Sequence, residues 1–416
     1  MLKRWRIRIL LFLAVLGPGF ITANIDNDSG GILTYSNAGA QFGYTLLWTM
    51  IPITVALLVV QEMCARMGAV TGKGLSDLIR EEFGLRMTFL LMLLLVVVNF
   101  GNVMAEFAGI AGSMQLFHIS KYVSVPASAL LIWFLVVKGD YKRVEKVFLV
   151  ASVFYITYIV TGVLSQPSWH EAMVATVELP RGNIWHSKSY IYMIVGVIGT
   201  TISPWMQFYL QSSIVEKGTR VKDYAASRLD VIVGSLFTDI VAWFIIVACA
   251  ATLYVHGMGA IQWASDAAEA MKPLAGDYAF VLFAFGLFNA SLFAASILPL
   301  STAYTVCEGL GFESGVDKSF KEAPFFYWLY TLLIVGGAAT VLFLPDAKLV
   351  NFAIYSQVLN GVLLPVIIIL MLLLINRTDL MGTHKNSKLW NLIAWGTSVI
   401  VIGMTGVMLW GLIPKH

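Results

Sequence analysis

The stretch NIDNDSGG, residues 24–31, decides how this chain folds. Apolar residues flank it on both sides, so it lies inside a segment long enough to cross a bilayer. Asp, Asn and Ser side chains compete for backbone hydrogen bonds, and each glycine costs a helix about 1 kcal/mol relative to alanine. Unwound backbone at membrane depth is tolerated only where it is buried or lines a polar cavity. The stretch therefore predicts a transmembrane helix that is broken near its middle.

The predicted break carries two carboxylates, Asp26 and Asp28, with Asn27 between them. Two carboxylates beside freed backbone carbonyls suit a metal cation. The alternative is an ordinary loop between two spans. That alternative leaves residues 9–23 short for a span and disturbs the charge pattern described below.

The composition is that of an integral membrane protein. The 416 residues are 58% hydrophobic and only 12% charged, with a mean hydropathy of +0.80 and a net charge of +3. So few charges cannot cover a soluble core of this size, which excludes a cytosolic enzyme, a nucleic-acid-binding protein and a disordered scaffold. The three cysteines form no CxxC motif and lie in apolar stretches, so we interpret them as packing residues.

Eleven apolar segments are candidate spans. They lie at about 9–40, 43–67, 87–113, 120–137, 147–165, 188–215, 229–255, 277–308, 325–344, 349–375 and 390–413. A cytoplasmic N-terminus places 21 of the 27 Lys and Arg residues inside and 6 outside, in alternation loop by loop. We therefore predict an all-α protein of the plasma (inner) membrane with about eleven transmembrane helices, its N-terminus in the cytoplasm and its C-terminus outside.

A second interruption, GTTISPW at residues 199–205, falls in the sixth predicted span. Pro204 has no backbone N–H and disfavours a helical conformation at the residue before it. A simple proline kink is the alternative. Interruptions five spans apart are typical of an inverted repeat with its binding site near the midplane. We therefore predict a single transporter domain over 1–416, with repeats at about 9–165 and 188–375 and an extra helix at about 390–413.

Three further polar residues lie within predicted spans. Glu106 lies among glycines and alanines in the third span, where it is either part of the pathway or a protonated, hydrogen-bonded interior carboxyl. Gln357 in the tenth span has an amide that can donate or accept within a helix bundle. Asp239 in the seventh span receives no role from the sequence.

Several motifs resemble those of the NRAMP family of divalent-metal transporters. GPGF at 17–20 resembles the opening motif of the family, and counting forward places residues 28–31 on its DPGN motif. QEMCARMGAVTGKGL at 61–75 is the most specific match. AEFAG at 105–109, YLQSS at 209–213 and SQVLNGVLLP at 356–365 resemble the third, sixth and tenth spans of the family. The resemblance covers nearly the whole chain and implies a LeuT-like fold.

The departures from the family pattern are informative. Asp28 keeps the aspartate of DPGN, but Gly31 stands at its asparagine. The methionine and histidine of the family's MPH motif fall on Ser203 and Trp205, and a shift of one residue makes Met206 a partial replacement for the lost sulfur. Val103 stands three residues before Glu106, where proton-coupled members carry an aspartate. The soft ligand, one amide ligand and two groups of the proton path are thus changed.

These changes imply a harder site made of oxygen ligands. A thioether favours soft ions, whereas Mg2+ is usually bound through one or two carboxylates with its waters retained. The predicted metal-site residues are Asp26, Asn27, Asp28, Gly31, Thr200, Ser203 and Gln357. The predicted pathway residues are Glu106, Trp205 and Met206.

The pattern resembles the NRAMP-related magnesium transporter branch, whose members carry Mg2+ and Mn2+ without proton coupling. We therefore expect a secondary transporter that imports Mg2+ and Mn2+ by alternating access. It is expected not to be an enzyme and to need no cofactor, because the metal is its transported substrate. Its expected partners are divalent metal ions and the lipid bilayer, with no nucleic acid and no obligatory protein partner.

Three rival functions remain open at this point. A proton-coupled Mn2+/Fe2+ symporter predicts proton influx with the metal, which the changed residues argue against. An amino-acid carrier of the same fold needs to bind a substrate carboxylate, which the acidic first break repels. An intramembrane aspartyl protease needs two facing aspartates. Asp28 and Asp239 are available for it, but no GxGD motif supports them.

Overall fold

The computed structural model describes residues 17–139 and 141–412, which are helical with no strand among them. The predicted beginning of the first span (9–16) and the last residue of the extra helix (413) lie outside the described residues. The α-helices are α1 (Pro18–Asn24), α2 (Ser29–Phe42), α3 (Met50–Thr71), α4 (Leu75–Phe83), α5 (Leu85–Gln115), α6 (Lys121–Val137), α7 (Tyr141–Val153), α8 (Ile156–Leu164), α9 (Trp169–Val177), α10 (Lys188–Thr201), α11 (Pro204–Glu216), α12 (Tyr224–Cys249), α13 (Ala264–Leu310), α14 (Pro324–Phe343), α15 (Asp346–Ile375), α16 (Thr378–Met381) and α17 (Lys388–Leu412).

Eight described helices are long and apolar enough to cross a membrane, or nine if the bent pair Leu359–Ile375 and Thr378–His384 forms one span. The segment Ser29–Thr71 counts once here, because a short 3-10 helix joins α2 to α3. Helix α6 is apolar but shorter than the others. The structure thus supports a multi-pass membrane protein, and the number eleven stays a prediction.

Helix α5 illustrates how the surface meets lipid. Leu90, Leu93, Leu94 and Val97 lie exposed along one face, while Leu95 on the opposite face is buried. A continuous exposed apolar stripe marks a surface that contacts another apolar phase. Because α5 is long and apolar enough to cross a membrane, lipid is the surrounding that this stripe fits.

Helices α12 and α13 make the most extensive packing contacts. Helix α12 packs against α1, α2 and α3, while α13 packs most extensively against α5. Small residues allow the closest approach: a Cβ added at Gly234 of α12 would lie 2.6 Å from the Cα of Phe20. Backbones that meet this closely are typical of helix pairs in membranes. The contact fixes α1 against α12 just below the first break.

Asp230 of α12 caps the beginning of α1. Its Oδ1 accepts hydrogen bonds from the backbone N–H groups of Gly17 (2.7 Å) and Phe20 (3.0 Å), and its Oδ2 accepts one from Gly19 (2.7 Å). The first N–H groups of a helix have no partner within the helix, and its positive end favours a carboxylate. Asp230 therefore supplies from a distant span the cap that Gly17 cannot provide.

Replacing Asp230 by alanine is expected to destabilise the protein by on the order of 3 kcal/mol, because three buried amides lose a charged acceptor. Thermal unfolding of the purified protein in detergent measures this as a lower Tm. Ser227→Ala on the same helix is the control, since its buried hydroxyl has no partner among the described residues. Equal Tm values for the two variants would contradict the capping role.

The three cysteines, Cys64, Cys249 and Cys307, are buried and form no disulfide. This agrees with their interpretation as packing residues. A separate soluble domain is absent from the described part of the chain, since the residues between the long helices form only short helices and turns.

Candidate metal site

The first break lies between α1 and α2, where the sequence predicts it. After Asn24 the chain makes a short 3-10 helix over Ile25–Asn27, and Asp28 is extended with φ −71° and ψ −179°. The Asp28 carboxylate caps α2 by accepting a hydrogen bond from the backbone N–H of Gly31 at 2.6 Å. The aspartate thus both begins α2 and brings a charge to the middle of the span.

The second break lies between α10 and α11. Ile202 (φ −120°, ψ 63°) and Ser203 (φ −72°, ψ 141°) leave the helical region, and Pro204 begins the next helix. The Ser203 hydroxyl donates to the carbonyl oxygens of Thr200 (3.0 Å) and Gly199 (3.1 Å). These two carbonyl groups at the end of α10 therefore accept hydrogen bonds from a side-chain hydroxyl.

The two breaks are connected through buried polar contacts. The Tyr35 hydroxyl of α2 lies 2.7 Å from Thr201 Oγ1 of α10. Gln357 of α15 lies against the beginning of α2, since a Cβ added at Gly30 would come within 2.4 Å of its Nε2. Asn360 supports that amide by donating to Gln357 Oε1 at 3.3 Å. The structure therefore brings residues from α2, α10 and α15 to the same depth.

Glu106 lies on the α5 side of the first break. Its Oε2 accepts a hydrogen bond from the backbone N–H of Ser29 at 3.0 Å, and its buried Oε1 has no partner among the described residues. Its charge interacts with that of Asp28. Gly109 permits this approach, because a Cβ there would lie 2.4 Å from Ser29 Oγ. Asp28 and Glu106 thus form a carboxylate pair between α2 and α5.

Asp26 and Asn27 lie on the other side of the break, against α12. The Asn27 side chain donates to the carbonyl oxygen (3.1 Å) and the hydroxyl (2.6 Å) of Thr238. Asp26 is buried, with neither oxygen hydrogen-bonded within the described chain. Its charged neighbours are Asp239 of α12 and Asp28. The sequence identifies Asp239 as a charged residue within a span, but nothing in the spacing of α12 predicts that it faces the first break.

Gly31 is a point of close packing. A Cβ at this position would lie 2.0 Å from the carbonyl oxygen of Asp26. Glycine has no side chain to offer a metal, and the N–H of Gly31 donates to Asp28. Its contribution is the room that it leaves for the 3-10 turn over Ile25–Asn27.

Trp205 and Met206 occupy the first turn of α11. Both are buried, and the Trp205 carbonyl accepts a hydrogen bond from Ser301 at 3.2 Å. Val103, one turn before Glu106, packs against α14, since a Cβ added at Gly337 would lie 2.7 Å from its Cγ1. Neither Trp205 nor Val103 has a group that takes up and releases a proton near neutral pH.

Within the described residues, no group of three or more His, Cys, Asp or Glu side chains could hold a metal ion. A cation at the break would therefore meet at most two carboxylates, completed by neutral oxygens and water. Mg2+ is usually bound in this manner, whereas softer metals are selected by sulfur or imidazole ligands.

A cavity of about 580 Å3 lies at the end of α5 and the beginning of α13. Ala108, Ala111 and Gly112 line it on α5, and Asp266 and Glu269 line it on α13. Ala108, the lining residue nearest to Glu106 in sequence, lies two residues after it on α5.

Comparison with known proteins places the chain among membrane transporters. Residues 19–411 match the Nramp family, described as natural resistance-associated macrophage protein-like. A relative from Klebsiella pneumoniae, the divalent metal cation transporter MntH, is 25% identical over 96% of this chain and 94% of its own length. The MntH protein of Deinococcus radiodurans is 27% identical over 98% of this chain and 91% of its own length.

Solved structures show the same fold. A mutant of the manganese transporter of Eremococcus coleocola superposes with a TM-score of 0.76 at 19% identity, covering 97% of this chain and 89% of that one. The same transporter with a bound bis-isothiourea compound gives 0.73 at 21% identity over the same shares. The all-helical, LeuT-like fold expected from the sequence is thereby confirmed, while the residue limits of its repeats stay a prediction.

Proposed function

The chain belongs to the Nramp family, and on that premise we propose that it imports Mg2+ and Mn2+ by alternating access, without coupling to protons. It is a multi-pass membrane transporter and not an enzyme, and divalent metal ions are its substrates rather than cofactors. We place it in the plasma membrane with its N-terminus in the cytoplasm and its C-terminus outside, as the distribution of Lys and Arg predicts.

The observation that carries the proposal is the Asp28–Glu106 pair. Asp28 stands in extended backbone between two helices, and the Gly31 amide at the beginning of α2 donates to its carboxylate. A carboxylate has about four lone-pair positions, so these contacts leave oxygen free for a cation. Glu106 accepts a hydrogen bond from Ser29, the residue after Asp28, and has a second, unpartnered oxygen among the described residues. A dication between them neutralises two charges that would otherwise repel each other inside the membrane.

The remaining ligands that we propose are neutral oxygens. Ser203, the Thr200 carbonyl and Gln357 lie at the two breaks and at the α15 contact described above. None of them is a soft ligand, since serine occupies the position where the family pattern has methionine. This supports selection of a hard, partly hydrated ion such as Mg2+, with Mn2+ also accepted. Met206 and Trp205 are then wall residues of the pathway.

Absence of proton coupling rests on Val103 and Trp205. A coupled mechanism needs a group that binds a proton beside the metal and releases it on the other side. Valine and tryptophan cannot do this. The membrane potential alone suffices as a driving force, because about 2.3 kcal/mol per charge per 100 mV amounts to roughly twice that for a dication.

The second candidate function is proton-coupled Mn2+ uptake. The names of the relatives favour it, since they are divalent metal cation and manganese transporters. Glu106 is the group that would carry the proton in that case. The two candidates differ in one measurable quantity, the acidification that accompanies metal entry.

Proteoliposomes with an imposed inside-negative potential test the proposal. Separate internal dyes for Mg2+, Mn2+ and pH are expected to report entry of both metals with no acidification. Liposomes without protein and a zero-potential sample are the controls. Mn2+ entry with acidification and no Mg2+ signal would establish the symporter instead.

A further inference from the structure

A second pair of buried carboxylates, Asp26 and Asp239, lies on the opposite side of the first break from Glu106. Asp26 is 2% exposed and Asp239 is 5% exposed. Neither oxygen of Asp26 has a hydrogen-bond partner among the described residues. The polar group beside Asp239 is the hydroxyl of Thr54, whose hydrogen bond goes to the Met50 carbonyl. Burying a carboxylate that has no basic partner is costly.

The contacts around the pair show where it lies. Asn27 and Thr238, the neighbours of the two aspartates, are joined by two hydrogen bonds. Thr54, the polar neighbour of Asp239, belongs to a third helix, α3. The hydroxyl of Tyr35 in α2 interacts electrostatically with both aspartates. The neighbours of the pair therefore belong to α2, α3 and α12.

The charges around the pair are all of one sign. The charged groups that act on Asp26 are Asp239 and Asp28, and no lysine or arginine is among them. Neither Asp26 nor Asp239 forms an ion pair with a lysine or arginine among the described residues. A buried carboxylate pair without a basic partner requires a cation from solution or a proton. Attraction between the side chains cannot hold them together.

An independent polar atom at the same place favours a metal ion. Asn27 is fully buried and its Nδ2 is held by Thr238, yet its Oδ1 has no donor within the described residues. A proton shared by two carboxylates would leave this amide oxygen unsatisfied. A metal ion takes carboxylate and amide oxygens together.

We propose that Asp26 and Asp239, with the Asn27 amide oxygen, form a second divalent-cation site between the first break and α12. This rests on the proposed function only in that Asp28 holds the transported ion on the other side of the break. Two carboxylates neutralise one dication. A hard divalent cation such as Mg2+ binds through one or two carboxylates and neutral oxygens. The ion at this site links the 3-10 turn of the break to α12.

Binding stoichiometry tests the second site. Purified protein in nanodiscs is titrated with Mn2+, and the free ion is counted by its electron paramagnetic resonance signal. Wild type is expected to bind about two ions per chain, and Asp239→Asn and Asp28→Asn about one each. Ser235→Ala, a buried change one turn from Asp239 on α12, is the matched control and is expected to retain about two.

A measurement on the unaltered protein guards against a variant that fails to fold. Two Mn2+ ions on either side of one short turn broaden each other's resonance, so wild type saturated with Mn2+ is expected to give a broadened spectrum. The same protein with Mn2+ diluted in excess Mg2+ is expected to give a narrow one.

The outcomes separate the two hypotheses. Wild type that binds a single ion without broadening, or Asp239→Asn that binds as many ions as wild type, overturns the second site even when Mn2+ transport is intact. Lack of any metal flux in liposomes overturns the proposed function and is scored independently of the stoichiometry.

Discussion

Replacing Asp28 by asparagine is expected to reduce metal uptake by about 100-fold or more, since even supporting residues of metal sites cost 10–100-fold when altered. Asparagine is as good a helix cap as aspartate, so it still accepts the Gly31 N–H and preserves the beginning of α2. The change removes only the charge. Initial rates of Mg2+ and Mn2+ entry into proteoliposomes measure the loss.

Two companion variants make this result specific. Asp28→Ala removes the cap as well and is expected to lower Tm by the equivalent of about 1 kcal/mol, with the same loss of uptake. Asp223→Asn, an exposed change before α12, is expected to transport like wild type. Uptake by Asp28→Asn at more than about half the wild-type rate would mean that the ion is held elsewhere.

The helix breaks are the part of the fold that local chemistry predicts. Residues 24–31 and Pro204 disfavour a helical conformation for local reasons that do not depend on their surroundings. The two breaks can therefore be predicted from the sequence. The number of spans is less readable. Residues 43–49 join α2 to α3 without a polar loop, which leaves Ser29–Thr71 as one apolar segment by length and composition.

The surroundings of each side chain are the part that the sequence does not contain. The sequence predicts that Glu106 lies inside a span. Its hydrogen bond with Ser29 depends on how closely α5 approaches α2 at Gly109. Asp239 shows the limit more sharply. Its neighbour Thr238 meets Asn27 across 211 positions of sequence, and only the tertiary packing of α12 decides that contact.

Gly31→Ala is expected to abolish uptake and to destabilise the fold by about 3 kcal/mol or more, as overpacking of a tight site does. The added Cβ would lie 2.0 Å from the Asp26 carbonyl oxygen, a backbone atom that cannot rotate away. The 3-10 turn over Ile25–Asn27 would have to move, and Asp26 and Asp28 would move with it. Thermal unfolding and metal uptake, measured on the same preparation, check both effects.

Gly196→Ala in α10 is the matched control, because it also adds one methyl group to a glycine of an interrupted helix. Its Cβ would meet only Thr34 Cγ2 at 3.5 Å, an ordinary contact, and alanine favours helix by about 1 kcal/mol. We expect this variant to keep its uptake and to unfold at the same temperature or higher. A Gly31→Ala protein as stable and active as Gly196→Ala would show that the break adapts more freely than its packing indicates.

The same packing bears on ion selectivity. The family pattern has asparagine at the position of Gly31, so Gly31→Asn would be the direct way to return an amide ligand to the site. Asparagine carries the same Cβ as alanine and meets the same carbonyl oxygen. We therefore expect Gly31→Asn to fail as Gly31→Ala does. The oxygen-only site is then fixed by the path of the backbone at Asp26, and a change of selectivity requires that turn to be rebuilt together with its ligands.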